Sequence, residues 1–188
     1  MPTQINMRSF TKKILVLTML LLAASFALAE EEQDRVQEIK TAFIYNFCKF
    51  IQWPEDKIED ANQPFVIGVF GDSPIKDTLG NLENKKIKNK KIIVKYFKGL
   101  ADSELSKSKK EAKLESILEK LSKPHILYIS KTEKDYFQKL TYFLAKNNLL
   151  VISTHPEFLN SGGMINFVMQ KNRIHFELNT AAIKRSNL

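Results

Sequence analysis

The chain has 188 residues, a single cysteine and a formal net charge of +8. One cysteine excludes an internal disulfide and a multi-cysteine zinc site, so stability has to come from packing, for which 44% hydrophobic residues and 13 Phe suffice in one domain. The basic excess suits solubility or an acidic partner, but the lysine-rich stretches 85–91 and 107–113 are interrupted by Ile, Asn, Ser and Glu and read as solvated faces, not as a nucleic-acid stripe with interleaved aromatics.

The first 29 residues read as a secretory signal. Arg8, Lys12 and Lys13 form a positive n-region, Ile14 to Leu22 with Ala23, Ala24 and Phe26 an apolar h-region, and Ala27-Leu28-Ala29 a small-x-small cleavage site. The apolar run of about 15 residues is short of the roughly 20 that a spanning helix needs. No cysteine follows it directly, which argues against a lipid anchor. Residues 1–29 are therefore expected to be a cleaved signal peptide, and residues 30–188 one exported α/β domain. An uncleaved N-terminal anchor is the rival reading.

Residues 30–35 are a polar lead-in, and a helix is predicted from Val36. Val36, Ile39, Phe43, Phe47 and Phe50 step by three and four along one face, with Ile44, Tyr45, Cys48 and Ile51 as a second apolar flank, so the helix is expected to be buried on more than one side. Trp53-Pro54 ends it, because the residue before proline avoids the helical region. Phe65–Phe70 is an apolar run expected to be a strand covered on both faces. Asp72 or Ser73 should cap a short helix that runs to about Leu82. Ile92–Phe97 is the next strand. Asp102 to Lys123 is a charged surface helix whose apolar stripe is Leu114, Ile117, Leu118 and Leu121.

His125–Ser130 is the third strand, and Ser130-Lys131-Thr132-Glu133 is a capping box opening a helix that carries Tyr136, Phe137, Leu140, Phe143 and Leu144 inward. Leu149–Ser153 is the fourth strand, and Thr154-His155-Pro156-Glu157 a second capping pattern. Met164–Met169 and Arg173–Leu178 pair as a hairpin around Lys171-Asn172, and Thr180–Arg185 starts a last helix. Strands alternating with helices and then a hairpin give a fold class of α/β: a single domain, its mostly parallel central sheet flanked by helices, with a C-terminal antiparallel hairpin.

Chemistry is sparse. The strand ends at Gly71-Asp72-Ser73, Ser130 and Ser153-Thr154-His155 line the place where parallel sheets bind ligands, although the same residues serve as helix caps. Ser161-Gly162-Gly163 runs into a strand rather than a helix, so it reads as a turn needing positive φ and not as a phosphate cradle. His125, His155 and His175 have no metal-ligand spacing and no nucleophile elbow beside them. Cys48 has no cationic neighbour on its helix face and reads as a buried, inert thiol. No cofactor is expected. Asn166, Arg173, Glu177 and Asn179 place polar groups on the terminal hairpin, either an ordinary solvent face or an edge that pairs with a partner.

Several blocks resemble one family. Ala42-Phe43-Ile44-Tyr45-Asn46-Phe47-Cys48-Lys49-Phe50-Ile51-Gln52-Trp53-Pro54 resembles the opening signature of the YfiR-like periplasmic proteins. Phe65 to Pro74, Leu150–Ser153, Gly162 to Phe167 and Arg173 to Asn179 resemble their later blocks. The candidate binding residues that these blocks carry are Trp53, Pro54, Gly71, Asp72, Gly162, Gly163, Asn166, Arg173, Glu177 and Asn179. The resemblance implies a regulator rather than an enzyme. Such proteins hold a membrane diguanylate cyclase inactive through its periplasmic part, which lowers cyclic-di-GMP and restrains biofilm growth. An OmpA-like lipoprotein can sequester them, and some relatives work beside histidine kinases. No nucleic-acid partner is implied, and a homodimer stays open. The chain departs from the family pattern in having only Cys48, in a longer charged helix, and in stopping soon after Asn179. Two alternatives remain: a periplasmic small-ligand-binding protein serving a transporter or sensor kinase, and an enzyme using Asp72 or His155.

Overall fold

The computed structural model describes residues 7–58, 63–101 and 103–188, without the side chains of residues 7–17, 20–30, 56 and 58. The side chains of the predicted n-region, of most of the h-region and of Ala27–Ala29 therefore lie outside the described residues, as does Asp102, the expected start of the charged helix. The chain divides into two units, residues 1–37 and 38–188.

Helix α1 spans Met7–Phe50. It starts before the predicted Val36 because the polar lead-in consists of good helix formers, with Glu31 and Arg35 paired one turn apart at 3.8 Å. Among the described residues no helix is long and apolar enough to cross a membrane.

Within the second unit, the end of α1 packs both of its apolar stripes, though unequally: Phe43 and Phe47 are half-buried against the core. Ile44 and Cys48 are sealed from solvent and Thr41 is buried with them, whereas Ile39 is exposed and Phe50 is 79% exposed. The flank is thus the more deeply buried of the two stripes. Thr41 Oγ1 and Thr78 Oγ1 are only 2.8 Å apart, a close approach that small side chains permit. The helix stops where expected: Trp53 Nε1 donates to Cys48 O at 3.2 Å, satisfying one of the carbonyls a helix end leaves free.

The elements that follow are α2 (Glu55–Ile58), β1 (Phe65–Phe70), α3 (Ile75–Gly80), β2 (Lys86–Ile87), β3 (Lys90–Phe97), α4 (Lys107–Leu121), β4 (Ile126–Ile129), a 3-10 turn (Lys131–Tyr136), α5 (Phe137–Leu144), β5 (Leu150–Ser153), β6 (Ile165–Gln170), β7 (Arg173–Leu178) and α6 (Thr180–Arg185). They build one seven-stranded sheet in the order β2-β3-β1-β4-β5-β6-β7. The five central strands are mutually parallel. Both edges are antiparallel, β2 on β3 and β7 on β6. The predicted mostly parallel sheet with its C-terminal hairpin is what forms.

Strand β2 corrects the view of residues 85–91 as a solvated face. Ile87 and Lys90 are buried, and Lys90 Nζ donates to Gln63 O at 3.1 Å. The turn between β2 and β3 has Lys88 at φ 46° and Asn89 at φ 67°, matching Lys171 at 48° and Asn172 at 58° in the C-terminal hairpin. Both hairpins turn on the same Lys-Asn pair, which accepts the left-handed region.

Right-handed crossovers put α3 on one face of the sheet and α4 and α5 on the other. The end of α1 shares the α3 face. The core is the near-continuous apolar centre: Phe65, Ile67 and Val69 of β1, Leu127 and Ile129 of β4, and Val151 and Ile152 of β5. Leu114, Leu118 and Leu121 of α4 press onto it, as predicted for that helix.

Candidate functional site

The chain leaves β1 toward β3 and leaves β4 toward β5. The carboxyl ends of β1 and β4 are therefore the switch point where open α/β sheets usually bind ligands. Here the protein fills it. Glu133, fully buried, accepts the N–H of Leu100 at 3.0 Å on Oε2 and shares the Ala101 N–H between both oxygens at 3.3 Å. A Cβ at Gly71 (φ 87°) would lie 2.8 Å from Glu133 Cγ, and one at Gly99 would fall on the Glu133 carboxylate. Ser130 Oγ donates to the Asp72 carbonyl across the same gap.

The expected capping box is thus only half made. Ser130 Oγ accepts from Thr132 N at 3.3 Å, but Ser130 N is taken by Phe70 O at 2.8 Å, so Glu133 turns into the loop after β3. The segment winds as a 3-10 turn rather than as the start of an α-helix. What stays open is a cavity of about 280 Å³ lined by Gly71, Asp72, Lys76, Lys98, Gly99 and Ser103. Asp72 is exposed and bound to Lys76 at 2.8 Å, and that hydrogen-bonded ammonium holds its carboxyl below the usual range. Neither Asp72 nor Ser73 caps α3; its N-cap is Pro74, without a side-chain bond.

The family-signature residues Trp53 and Pro54 lie elsewhere. Trp53 is buried edge-on to Phe65 and His125, with centroids 5.4 and 5.9 Å away. His125 Nδ1 accepts from Val66 N at 3.0 Å, so the ring is neutral and its Nε2 donates to Lys57 O at 2.9 Å. Burial, ahead of the nearby lysines, pushes its pKa down. His155 Nδ1 accepts from Glu157 N at 3.2 Å, taking the cap role expected of Thr154. Burial pushes the Cys48 thiol up to about 12. Among the described residues no group of three or more His, Cys, Asp or Glu is placed to hold a metal.

The C-terminal hairpin collects the remaining candidates. Gly162 has φ 90°, as the turn reading required, and Gly163 leaves no space for a Cβ beside the Phe158 ring. Thr141 Oγ1 donates to Ser161 O, tying the turn to α5. Asn179 Oδ1 accepts from Ala182 N at 3.0 Å and its Nδ2 donates to Leu159 O at 3.2 Å, so it caps α6. Arg173 and Glu177 are exposed on β7, opposite Gln170 and Asn166. Asn166 is fully buried, and both atoms of its amide lack a hydrogen-bond partner, alone in this among the described residues.

Strand β7 is an open edge with two unlike faces. Arg173, His175 and Glu177 form the polar one. Ile174, Phe176 and Leu178 form the apolar one, in register with Met169, Phe167 and Ile165 of β6. Phe176 stands edge-on to both Phe43 and Phe47 of α1 at 5.3 Å. Yet Phe176, Leu178 and Met169 keep large exposed areas. The sequence reading picked the polar side and missed these three. The alternation of Ile174, Phe176 and Leu178 along β7 was the available signal.

Residues 37–188 match a family model described as YfiR/HmsC-like. The chain belongs to the YfiR/HmsC-like family. No curated protein matches it. The match covers every element from the end of α1 to α6, including all the blocks that carry the resemblance. In this YfiR/HmsC-like chain the signature residues fall in three places: Trp53 and Pro54 behind α1, Gly71 and Asp72 at the filled switch point, and Gly162, Gly163, Asn166, Arg173, Glu177 and Asn179 around the hairpin.

Proposed function

We propose that the chain is an exported regulatory binding protein of the periplasm. It restrains a membrane-bound diguanylate cyclase by docking the β7 edge on the periplasmic part of that enzyme. Residues 1–29 act as the cleaved export signal. A histidine kinase is the alternative partner, and an OmpA-like lipoprotein the protein that sequesters the regulator.

The observation that carries this reading is the open β7 edge with its aromatic wall. An unpaired strand offers main-chain N–H and C=O groups to an incoming chain, and exposed apolar side chains add affinity. Phe176 and Leu178 stand on that edge, backed by Phe43 and Phe47. Asn166, buried with its amide unpaired, lies on β6 of the same hairpin and points to the same region, since breaches of polar satisfaction are expected at functional sites. With Glu133 occupying the switch point, only the cavity of about 280 Å³ stays open there, which favours a binding role over catalysis and over a small-ligand receptor.

The test pairs two measurements. The tagged protein is used to capture partners from detergent-solubilised membranes, and cyclic-di-GMP is measured after deletion. Recovery of a diguanylate cyclase together with a rise in cyclic-di-GMP is expected. Recovery of no sensor-bearing membrane protein, with cyclic-di-GMP unchanged, overturns the reading.

A further inference from the structure

The two lysine-rich stretches, distant in sequence, fall on the same face of the sheet. Lys86 of β2 lies directly opposite Lys91 of β3, and Lys91 and Lys95 share a face of β3 because side chains alternate along a strand. That face is in register with Gly68 of β1, whose missing Cβ leaves space for Pro124 and Leu127. It is the face that α4 and α5 cover.

Helix α4 separates its charges. At about 100° per residue, Lys109, Lys113 and Lys120 fall within about 40° of arc on one flank of the buried Leu114, Leu118 and Leu121 stripe. Glu111, Glu115 and Glu119 form a row on the other flank. The glutamate row faces α5, since Lys139 of α5 binds Glu115 at 2.9 Å, and Lys123 binds Glu119 at 3.4 Å. Helix α5 joins β4 to β5, so the lysine flank faces the opposite edge, where Lys86, Lys91 and Lys95 stand.

All six lysines are exposed, and among the described residues none has a carboxylate within ion-pair distance. Glu83, the nearest acid in sequence to β2, accepts from Val94 N at 3.4 Å and acts on Tyr96, on the α3 face. Lysines that merely blunt an edge strand account for β2 and β3. They do not account for the segregated row on α4.

We infer that this lysine face docks the protein on an anionic phospholipid surface. Lysine is depleted in protein–protein interfaces, which are built on aromatic and arginine anchors. Six separated, flexible ammonium groups around no aromatic anchor match instead a fluid array of headgroup phosphates. The face lies at the β2–β3 edge, away from β7, so the docked protein keeps its other sheet edge free. The inference does not rest on the proposed partner, and a vesicle assay contains none.

The experiment is co-sedimentation of the full chain with phosphatidylglycerol-containing vesicles and with neutral phosphatidylcholine vesicles. The variant Lys91→Gln/Lys95→Gln/Lys109→Gln/Lys113→Gln is compared with the parent, and Glu111→Gln/Glu115→Gln serves as the control on the opposite flank. Any affinity of the apolar N-terminal segment is common to all three proteins. Circular dichroism confirms that each is folded. The expected result is salt-sensitive binding to anionic vesicles that the lysine variant loses by at least about tenfold and the glutamate variant retains. Equal binding by parent and lysine variant overturns the inference. So does lysine-dependent binding to an acidic polypeptide without a preference for anionic over neutral vesicles, which assigns the face to a protein partner.

Discussion

Glu133 and Gly99 occupy adjoining space so tightly that any side chain at position 99 would land on the Glu133 carboxylate. The contact exists because Glu133 reaches over to the N–H groups of Leu100 and Ala101, drawing the loop after β3 down onto it. Gly99→Ala is expected to destabilise the fold by about 2 kcal/mol through overpacking. Glu133→Ala is expected to cost about 1–3 kcal/mol by leaving the buried Leu100 donor and the half-buried Ala101 donor unsatisfied. The double variant should cost less than the sum, since the shortened residue removes the clash with the carboxylate, while the approach to Gly71 Cα at 2.7 Å keeps part of the Gly99→Ala penalty. Urea denaturation of the four proteins checks this, and strict additivity would contradict the packing described.

His125 makes stability depend on pH. Burial holds its folded-state pKa below the ordinary 6.5, so the folded state favours the neutral ring. A depressed folded-state pKa gives stability that is present above the unfolded value and lost as pH falls through the folded one. Protonation also turns the acceptor of the Val66 N–H into a donor. The denaturation midpoint should therefore drop as pH falls below about 6.5, and drop less in His125→Gln, which removes that titrating ring. Parallel pH profiles for the two proteins would refute this.

The unpaired amide of Asn166 predicts a gain from an apolar replacement. A buried amide without partners costs roughly 1–3 kcal/mol on protein scales. Asn166→Leu, which keeps the branched heavy-atom skeleton but is bulkier, is expected to raise stability by about 1 kcal/mol, the relief of the amide outweighing the tighter packing, while weakening partner capture. A loss of stability on thermal denaturation would mean that the amide is satisfied within the folded chain.

Much of the fold was legible because its signals are local. The apolar run Phe65–Phe70, the Lys171-Asn172 turn and the Thr180–Arg185 start each depend on a few adjacent residues, and each formed within a residue or two of expectation. Strand β2 was equally legible, since Lys88-Asn89 repeats the same turn pair, but its lysines obscured it. That α1 is buried on more than one side was legible from its two periodic apolar stripes, but which stripe lies deeper was not, since the close approach of Thr41 to Thr78 is a long-range contact. Glu133 fitted a capping box perfectly well in sequence; the competing donors at Leu100 and Ala101 are more than thirty residues away. The candidate site divides in the same way. Gly162, Gly163 and Asn179 were readable as turn and cap residues, whereas the exposure of Phe176 and Leu178 depends on how little of the β7 face α1 covers.

Cys48 should behave as an inert thiol. With its pKa pushed up to about 12 by burial, almost none is thiolate at neutral pH. A maleimide reagent is expected to label the chain only after denaturant unfolds it. Labelling of the folded chain as fast as the unfolded one would contradict the burial of the end of α1 against the sheet.

The central claim is that β7 meets a membrane signalling protein. Photo-crosslinking in living cells tests it most directly, with the photoreactive residue placed at exposed Leu178 on β7 or, as a control, at exposed Tyr142 on α5. The predicted result is an adduct from position 178, identified by mass spectrometry as a membrane protein bearing a diguanylate cyclase or histidine kinase, with none from position 142. No such adduct from 178, or the same adduct from both positions, would contradict the account.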